Sequence, residues 1–312
     1  MPRSPRELHI DHPAPGASPR GVGYVLVSAA AFATLAIFGR LAADDGLRSN
    51  TLLQWRFGVA AAVLATFGAF RSTLPRHTRV LLLGSGLVYT TQTSFYFAAL
   101  HRISAGTTAL LLYLAPAFVI LYAAVLGTRP NRLQIVGVGV ALAGLGVILG
   151  APSGADASSA GLAFGAAAGA TLAGYMLLGE MAFEGVPPLS IAAHSMVGAV
   201  VGFTLLDLAT QRRLDLPSGA GQWIIVAAVV IVPTLIAIPL LFAGIQAIGA
   251  APTAVISTAE PAFTLVFAAA LLDEPMRAVQ LVGGGLILAA AVTAQRSANH
   301  HIATRFPIGP TD

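Results

Sequence analysis

FAGIQAIGAAPTAVISTAEPAFTLVFAAALLDEPMR, residues 242–277, lies without a gap over FAALHRISAGTTALLLYLAPAFVILYAAVLGTRPNR, residues 97–132, at an offset of 145. Identities fall at 14 of the 36 positions, among them a shared P-A-F (Pro116 and Pro261) and a shared P-x-R. Alanine-rich apolar sequence inflates such a score, but matched prolines and arginines do not follow from composition. The chain holds an internal repeat, and each copy sets a proline inside a long apolar run. Such doubling is common in membrane carriers.

Working outward, the rest of the chain is as apolar as these runs. Of its 312 residues 56% are hydrophobic and 10% charged, against about 25% charged in an ordinary soluble domain. A polar shell cannot be built from that composition. A spanning helix needs about 20 mostly apolar residues. Ten such segments fit, near 22–42, 51–70, 80–99, 104–126, 133–150, 160–179, 189–208, 222–246, 252–272 and 278–295. The linker-like PSGADASSA, 152–160, leaves five on each side. The expected fold is all-α and integral to the membrane. Residues 1–21 form a disordered tail, 22–150 the first repeat, 151–159 a linker, 160–295 the second repeat and 296–312 a second tail.

Five crossings per repeat is an odd number, so the second copy enters from the opposite face. The expected architecture is two inverted five-helix repeats around a central cavity. Arginine in short loops favours the cytoplasm. With the N-terminus inside, ten of the 17 arginines lie in cytoplasmic regions and six outside. Both termini are therefore expected in the cytoplasm, with the chain in the cytoplasmic (inner) membrane.

Other classes find little support. The basic residues are all arginines, scattered between apolar runs without forming a patch, so no nucleic-acid partner is expected. There is no cysteine. No nucleophile–base arrangement, metal-ligand spacing or phosphate loop appears, so neither an enzyme nor a cofactor or metal site is expected. The glycines of 137–150 and Gly283–Gly285 read as close helix packing. The fifth and tenth segments they occupy offer a dimer contact, leaving monomer or homodimer open. A channel would need a ring of charge or a carbonyl filter.

YLAPAFVILYAAVLGTRPNRLQIVGVGVALAGLGVIL, STAEPAFTLVFAAALLDEPMRAVQLVGGGLILAAAV and QWRF (54–57) together resemble the EamA family of the drug/metabolite transporter superfamily, over residues 22–295. The resemblance implies a ten-helix exporter of amino acids, other metabolites or drugs. One departure is LGTRP in the first copy, where Arg129 replaces the family's acid; the second copy keeps Asp273 and Glu274.

Polar residues deep within spans are the candidates for transport. Glu260, ninth in its segment, costs about 2.5–3.5 kcal/mol at the bilayer centre. It either satisfies backbone freed by Pro261 or handles a proton or a substrate ammonium. Its counterpart Ala115 shows that the proline alone does not require an acid. Tyr89, Gln92, Thr93 and Tyr96 share one helical face, which lines a cavity or joins helices. Tyr113 and Thr258 correspond at the 145 offset, each three residues before its proline, and are expected to face the axis. Tyr175 and Phe38 are further lining candidates. Pro116, Pro261, Pro233 and Pro239 are the expected bends.

Arg56 is expected to snorkel to the outer surface, with carboxylate binding the alternative. His194 reads as a packing histidine or a proton relay. Trp55 and Trp223 read as interface anchors. Glu180 and Glu184 are expected to stay solvated. The expected function is export of small metabolites, best amino acids and among them aromatic ones, by alternating access. Drug or toxic-analogue efflux and a non-transporting membrane assembly protein are the alternatives.

Overall fold

The computed structural model describes residues 19–103, 105–127, 130–149, 158–210, 215–272 and 278–298. The two tails, the linker and Arg129, Asp273 and Glu274 fall wholly or largely outside these residues. Among them the chain forms thirteen α-helices and one π-helical turn, with no strand. Helices α1 (Pro19–Asp44), α2 (Ser49–Thr66) and α3 (Arg76–Leu100) are followed by a broken rod, α4 (Ala105–Leu112) and α5 (Ala115–Val125). Next come α6 (Arg132–Leu149), α7 (Ser159–Ala182) and α8 (Pro188–Ala209). A long rod follows, α9 (Gly219–Val230) and α10 (Ala237–Ile248), joined by the π-turn Ile231–Ile236. A second broken rod is α11 (Ala250–Ser257) and α12 (Glu260–Leu272), and α13 (Ala278–Ala298) is last.

Each of the ten expected segments is helical, with three departures. The second ends at Thr66, because residues 67–70 turn. The fourth breaks at Tyr113–Leu114 and the ninth at Thr258–Ala259. Proline explains both breaks. It has no N–H to give the carbonyl four residues back, and its ring crowds that carbonyl. Pro116 and Pro261 are each the second residue of the helix after the break. The pieces match across the copies at the same offset of 145: α4 maps onto α11 end for end, and the starts of α5 and α12 coincide.

Among the described residues, six rods are long and apolar enough to cross a membrane: Pro19–Asp44, Thr107–Val125, Ser159–Ala182, Pro188–Ala209, Gly219–Ile248 and Ala250–Leu271. Large apolar side chains such as Leu121, Val125, Leu205, Leu208 and Ile224 point outward. The interior is closed by small residues. A Cβ at Gly86 or Gly198 would strike backbone of the partner helix, so α3 and α8 touch main chain to main chain there. Gly144 likewise lets α6 approach Gly283 of α13.

The packing repeats itself when the copies are exchanged. α1 lies along the α9–α10 rod as α7 lies along α3, and α12 packs on α1 as α5 packs on α7. Contacts at the helix ends give the directions. A Cβ on Gly21, at the start of α1, would meet Ala247 and Ile248 at the end of α10. Gln222, early in α9, donates from Nε2 to the Asp45 carbonyl just past α1, at 2.7 Å. Glu180, near the end of α7, accepts from the Ala250 N–H at 2.8 Å, immediately after α10. The start of α1 and the end of α7 therefore share one face, and these two helices run in opposite directions.

At that face Gly249, at φ 87°, is the single residue joining α10 to α11, a left-handed conformation suited to glycine. Gln246 Nε2 ties the joint to the carbonyls of Phe183 (2.9 Å) and Val186 (2.8 Å). Glu180 was expected to stay solvated; instead it caps α11. The first turn of a helix offers N–H groups without partners, and a carboxylate oxygen satisfies one. Glu184 is exposed.

Candidate functional site

Polar side chains near the midpoints of their rods include Arg56 on α2, Tyr89 on α3, Tyr113 at the first break, Thr234 in the π-turn and Glu260 at the second break. Tyr113, Thr234 and Glu260 owe their depth to where their helices are interrupted. Pro233 has no N–H for the Val229 carbonyl, and Thr234 supplies its hydroxyl there instead, at 2.7 Å. The rod answers with a π-turn, in which the Ala237 N–H reaches back five residues to the Val232 carbonyl. π-turns inside α-helices gather at functional sites.

Arg56 departs most from expectation. Snorkelling is ruled out, because the side chain is 0% exposed. About ten residues of helix separate it from the end of α2 and seven from its start, too deep for the stem to reach water. Its Nε donates to Thr234 Oγ1 at 2.7 Å and its Nη2 to the Pro233 carbonyl at 2.9 Å. The guanidinium also lies 4.8 Å from the centre of the Phe57 ring. Its Nη1 is buried and meets no acceptor among the described residues.

Glu260 opens α12 and is half-buried. A carboxylate at a helix N-terminus is favoured by the unpaired N–H groups there. Tyr113, from the other copy's break, lies close to it. Tyr96 and Arg56 are near enough for charge to be felt. The structure thus brings together Tyr96, Tyr113, Arg56 and Glu260, which are far apart in sequence.

Tyr89 and Tyr175 belong to an adjoining chain of rings. Phe203 stacks on Phe57 (5.9 Å), which meets Tyr89 edge-on (5.3 Å); Tyr89 meets Tyr175 (5.8 Å) and Tyr175 meets Phe242 (5.4 Å). The void among Phe57, Tyr89, Tyr175, Ser195 and Ile238 is only about 10 Å³, room for about one water. The expected central cavity is therefore closed here by aromatic side chains. A larger groove of about 460 Å³ opens between α3, α5 and α7, lined by Val88, Tyr122, Thr171, Gly174 and Leu178.

The remaining candidates have local roles. Thr258 is 0% exposed, and its hydroxyl donates to the Val255 carbonyl at 2.6 Å. It closes its own break and offers nothing to the axis. Gln92 and Thr93 are buried, with the Thr93 hydroxyl 3.4 Å from Gln92 Oε1. Phe38 is half-buried against the main core. Pro239 is buried in α10, beyond the π-turn. His194 is the seventh residue of α8 and is buried. Its Nδ1 pairs with the Ser190 carbonyl at 2.8 Å and its ring meets Phe70 at 4.9 Å. Trp55 packs edge-on against Trp223 at 5.1 Å and donates to the Asp215 carbonyl at 3.1 Å.

With the doubled half-helices and the mid-depth cluster in view, comparison with known proteins is direct. Residues 19–150 and again 159–294 match the EamA-like transporter family. The chain belongs to that family. An "Uncharacterized transporter" of Archaeoglobus fulgidus is 25% identical over 276 residues, 88% of this chain and 96% of the relative. "Uncharacterized transporter YcbK" of Bacillus subtilis is 24% identical over 278 residues, 85% of this chain and 89% of the relative. A solved structure described as "Crystal structure of protein" superposes with a TM-score of 0.74 at 22% identity, covering 88% of this chain and 96% of that one, and shows the same fold.

This EamA-like protein is a multi-pass membrane transporter. Sequence reasoning missed Thr234, Ser195 and Phe57. The signal for Thr234 was its proline neighbour in IVPTLIAIP, where a hydroxyl can replace the lost backbone donor. Nothing local marks Ser195 or Phe57, whose partners lie on other helices.

Proposed function

We propose that this transporter exports small metabolites, amino acids above all and aromatic ones among them, across the cytoplasmic membrane. Ten spans, threaded as two oppositely directed sets of five, expose a mid-depth polar cluster to one face at a time. Both termini lie in the cytoplasm. The observation that carries this reading is Glu260: a carboxylate near the middle of the α11–α12 rod, at the mouth of one copy's broken helix and close to Tyr113 at the other's. A charge at that depth is costly, and the first copy manages its break with Ala115. The opposed directions of α1 and α7 and the copy-exchanged packing support a two-fold axis in the membrane plane. Paired breaks at one depth give each copy a joint about which the half-helices α5 and α12 swing.

The test is saturable counterflow of labelled amino acids in proteoliposomes, with Glu260→Gln beside the wild-type protein. Loss of pH-driven uptake with counterflow retained makes Glu260 the proton carrier. Loss of both makes it a substrate contact. Equal activity in both assays removes Glu260 from the mechanism, and absence of saturable flux in the wild type removes amino acids. The aromatic ladder also suits apolar drugs. Efflux of toxic analogues would appear as resistance on overexpression without amino-acid counterflow.

A further inference from the structure

We propose that Arg56 is the receptor for a carboxylate on the transported solute, and that the π-turn holds its guanidinium while no carboxylate is present. The inference rests on the export reading above and adds what that reading leaves open: which group of the solute is recognised, and by what.

A purely structural tie between α2 and the π-turn does not need a charge. A neutral side chain could donate to the Pro233 carbonyl and the Thr234 hydroxyl without carrying a cation to mid-depth. Arg56 is wholly buried, and one of its nitrogens is aimed into the protein without an acceptor. Buried donors are nearly always satisfied, and a buried cation calls for an anion. Glu260 is a carboxylate near it, yet no ion pair joins the two among the described residues. The cation thus has neutral stand-ins, the Pro233 carbonyl at 2.9 Å and the Thr234 hydroxyl at 2.7 Å, and one open position.

A planar carboxylate matches the guanidinium fork. It would take the open Nη1 and then draw the guanidinium off both the Pro233 carbonyl and the Thr234 hydroxyl. Thr234 would keep its bond to the Val229 carbonyl. A divalent anion fits less well, because Glu260 repels the second charge. A solute bearing its own ammonium is electrically balanced between Arg56 and Glu260. The class indicated is the α-amino acid zwitterion, with its carboxylate on Arg56.

Purified wild-type protein in detergent, with Arg56→Gln, Arg56→Lys and Thr234→Val, would be heated with L-amino acids and with the amine each yields on losing its carboxylate. Amino acids should stabilise the wild type and the amines should not. Arg56→Gln should weaken amino-acid binding roughly ten- to hundredfold, and Arg56→Lys should restore part of it. Thr234→Val removes a competitor for the guanidinium and should tighten binding about fivefold. Equal stabilisation by acids and amines, or the same affinity in Arg56→Gln, overturns the receptor. Unchanged or weaker binding in Thr234→Val overturns the latch even where the arginine variants do not fold. Binding without proteoliposome flux would refute export and leave the receptor standing. Flux with an unchanged half-saturation in Arg56→Gln would do the reverse.

Discussion

Thr258 and Ser195 show how a single hydroxyl is committed within the bilayer. The repeat matches Thr258 to Tyr113 and puts it toward the axis, but its hydroxyl serves the Val255 carbonyl. Thr258→Val should therefore lower stability by about 1 kcal/mol and leave half-saturation for transport unchanged; a shift in half-saturation would return Thr258 to the solute path. Ser195 ties α8 to α3. Ser85 donates to the Leu82 carbonyl at 2.7 Å and pairs with the Ser195 hydroxyl. Since Ser85 has one proton and spends it on Leu82, Ser195 donates to Ser85. Ser195→Ala removes that bond between the helices and should cost about 1 kcal/mol, read as a lower unfolding temperature in detergent. Sequence could name these residues as polar and deep, but not their partners, which come from helices far along the chain.

Helix contact depends on what glycine leaves out. Gly86 and Gly198 let α3 and α8 meet at the backbone, where any Cβ collides. Gly146, in α6, has nothing within 4 Å of its Cβ position. Gly198→Ala should destabilise by roughly 1–3 kcal/mol or more, whereas Gly146→Ala should be neutral or stabilising by up to about 1 kcal/mol. Thermal unfolding of the two variants side by side checks the contrast. Equal effects would mean that α3 and α8 do not cross at Gly198. The broken rods were legible as prolines in a repeated run, and their boundaries fall where the proline rule puts them. The π-turn was not legible. Pro233 and Pro239 signalled a bend, but the choice between a kink and a widened turn depends on Thr234 and on Arg56, which reaches in from another helix.

For the whole molecule, cysteine scanning needs no prior removal of native thiols, since the chain has none. Cysteines at Thr73 and Glu184, in the turns beside the start of α3 and the end of α7, should label from the cytoplasm. Cysteines at His101 and Ser218, beside the end of α3 and the start of α9, should label from outside. Thr73 and Ser218 labelled from one face would dissolve the opposed threading. The sequence by itself determined that this is a membrane protein of repeated halves, because hydropathy and an ungapped repeat are properties of the chain read in order. It also fixed the depth of Glu260 and the positions of the breaks, since proline acts on its own helix. Tertiary structure alone decided that Arg56 is buried rather than snorkelling, that aromatic rings shut the centre, and that one cation and one carboxylate meet at the same depth without pairing. Those outcomes depend on which helices become neighbours, and among nearly uniform apolar helices that choice is made by close packing of small residues.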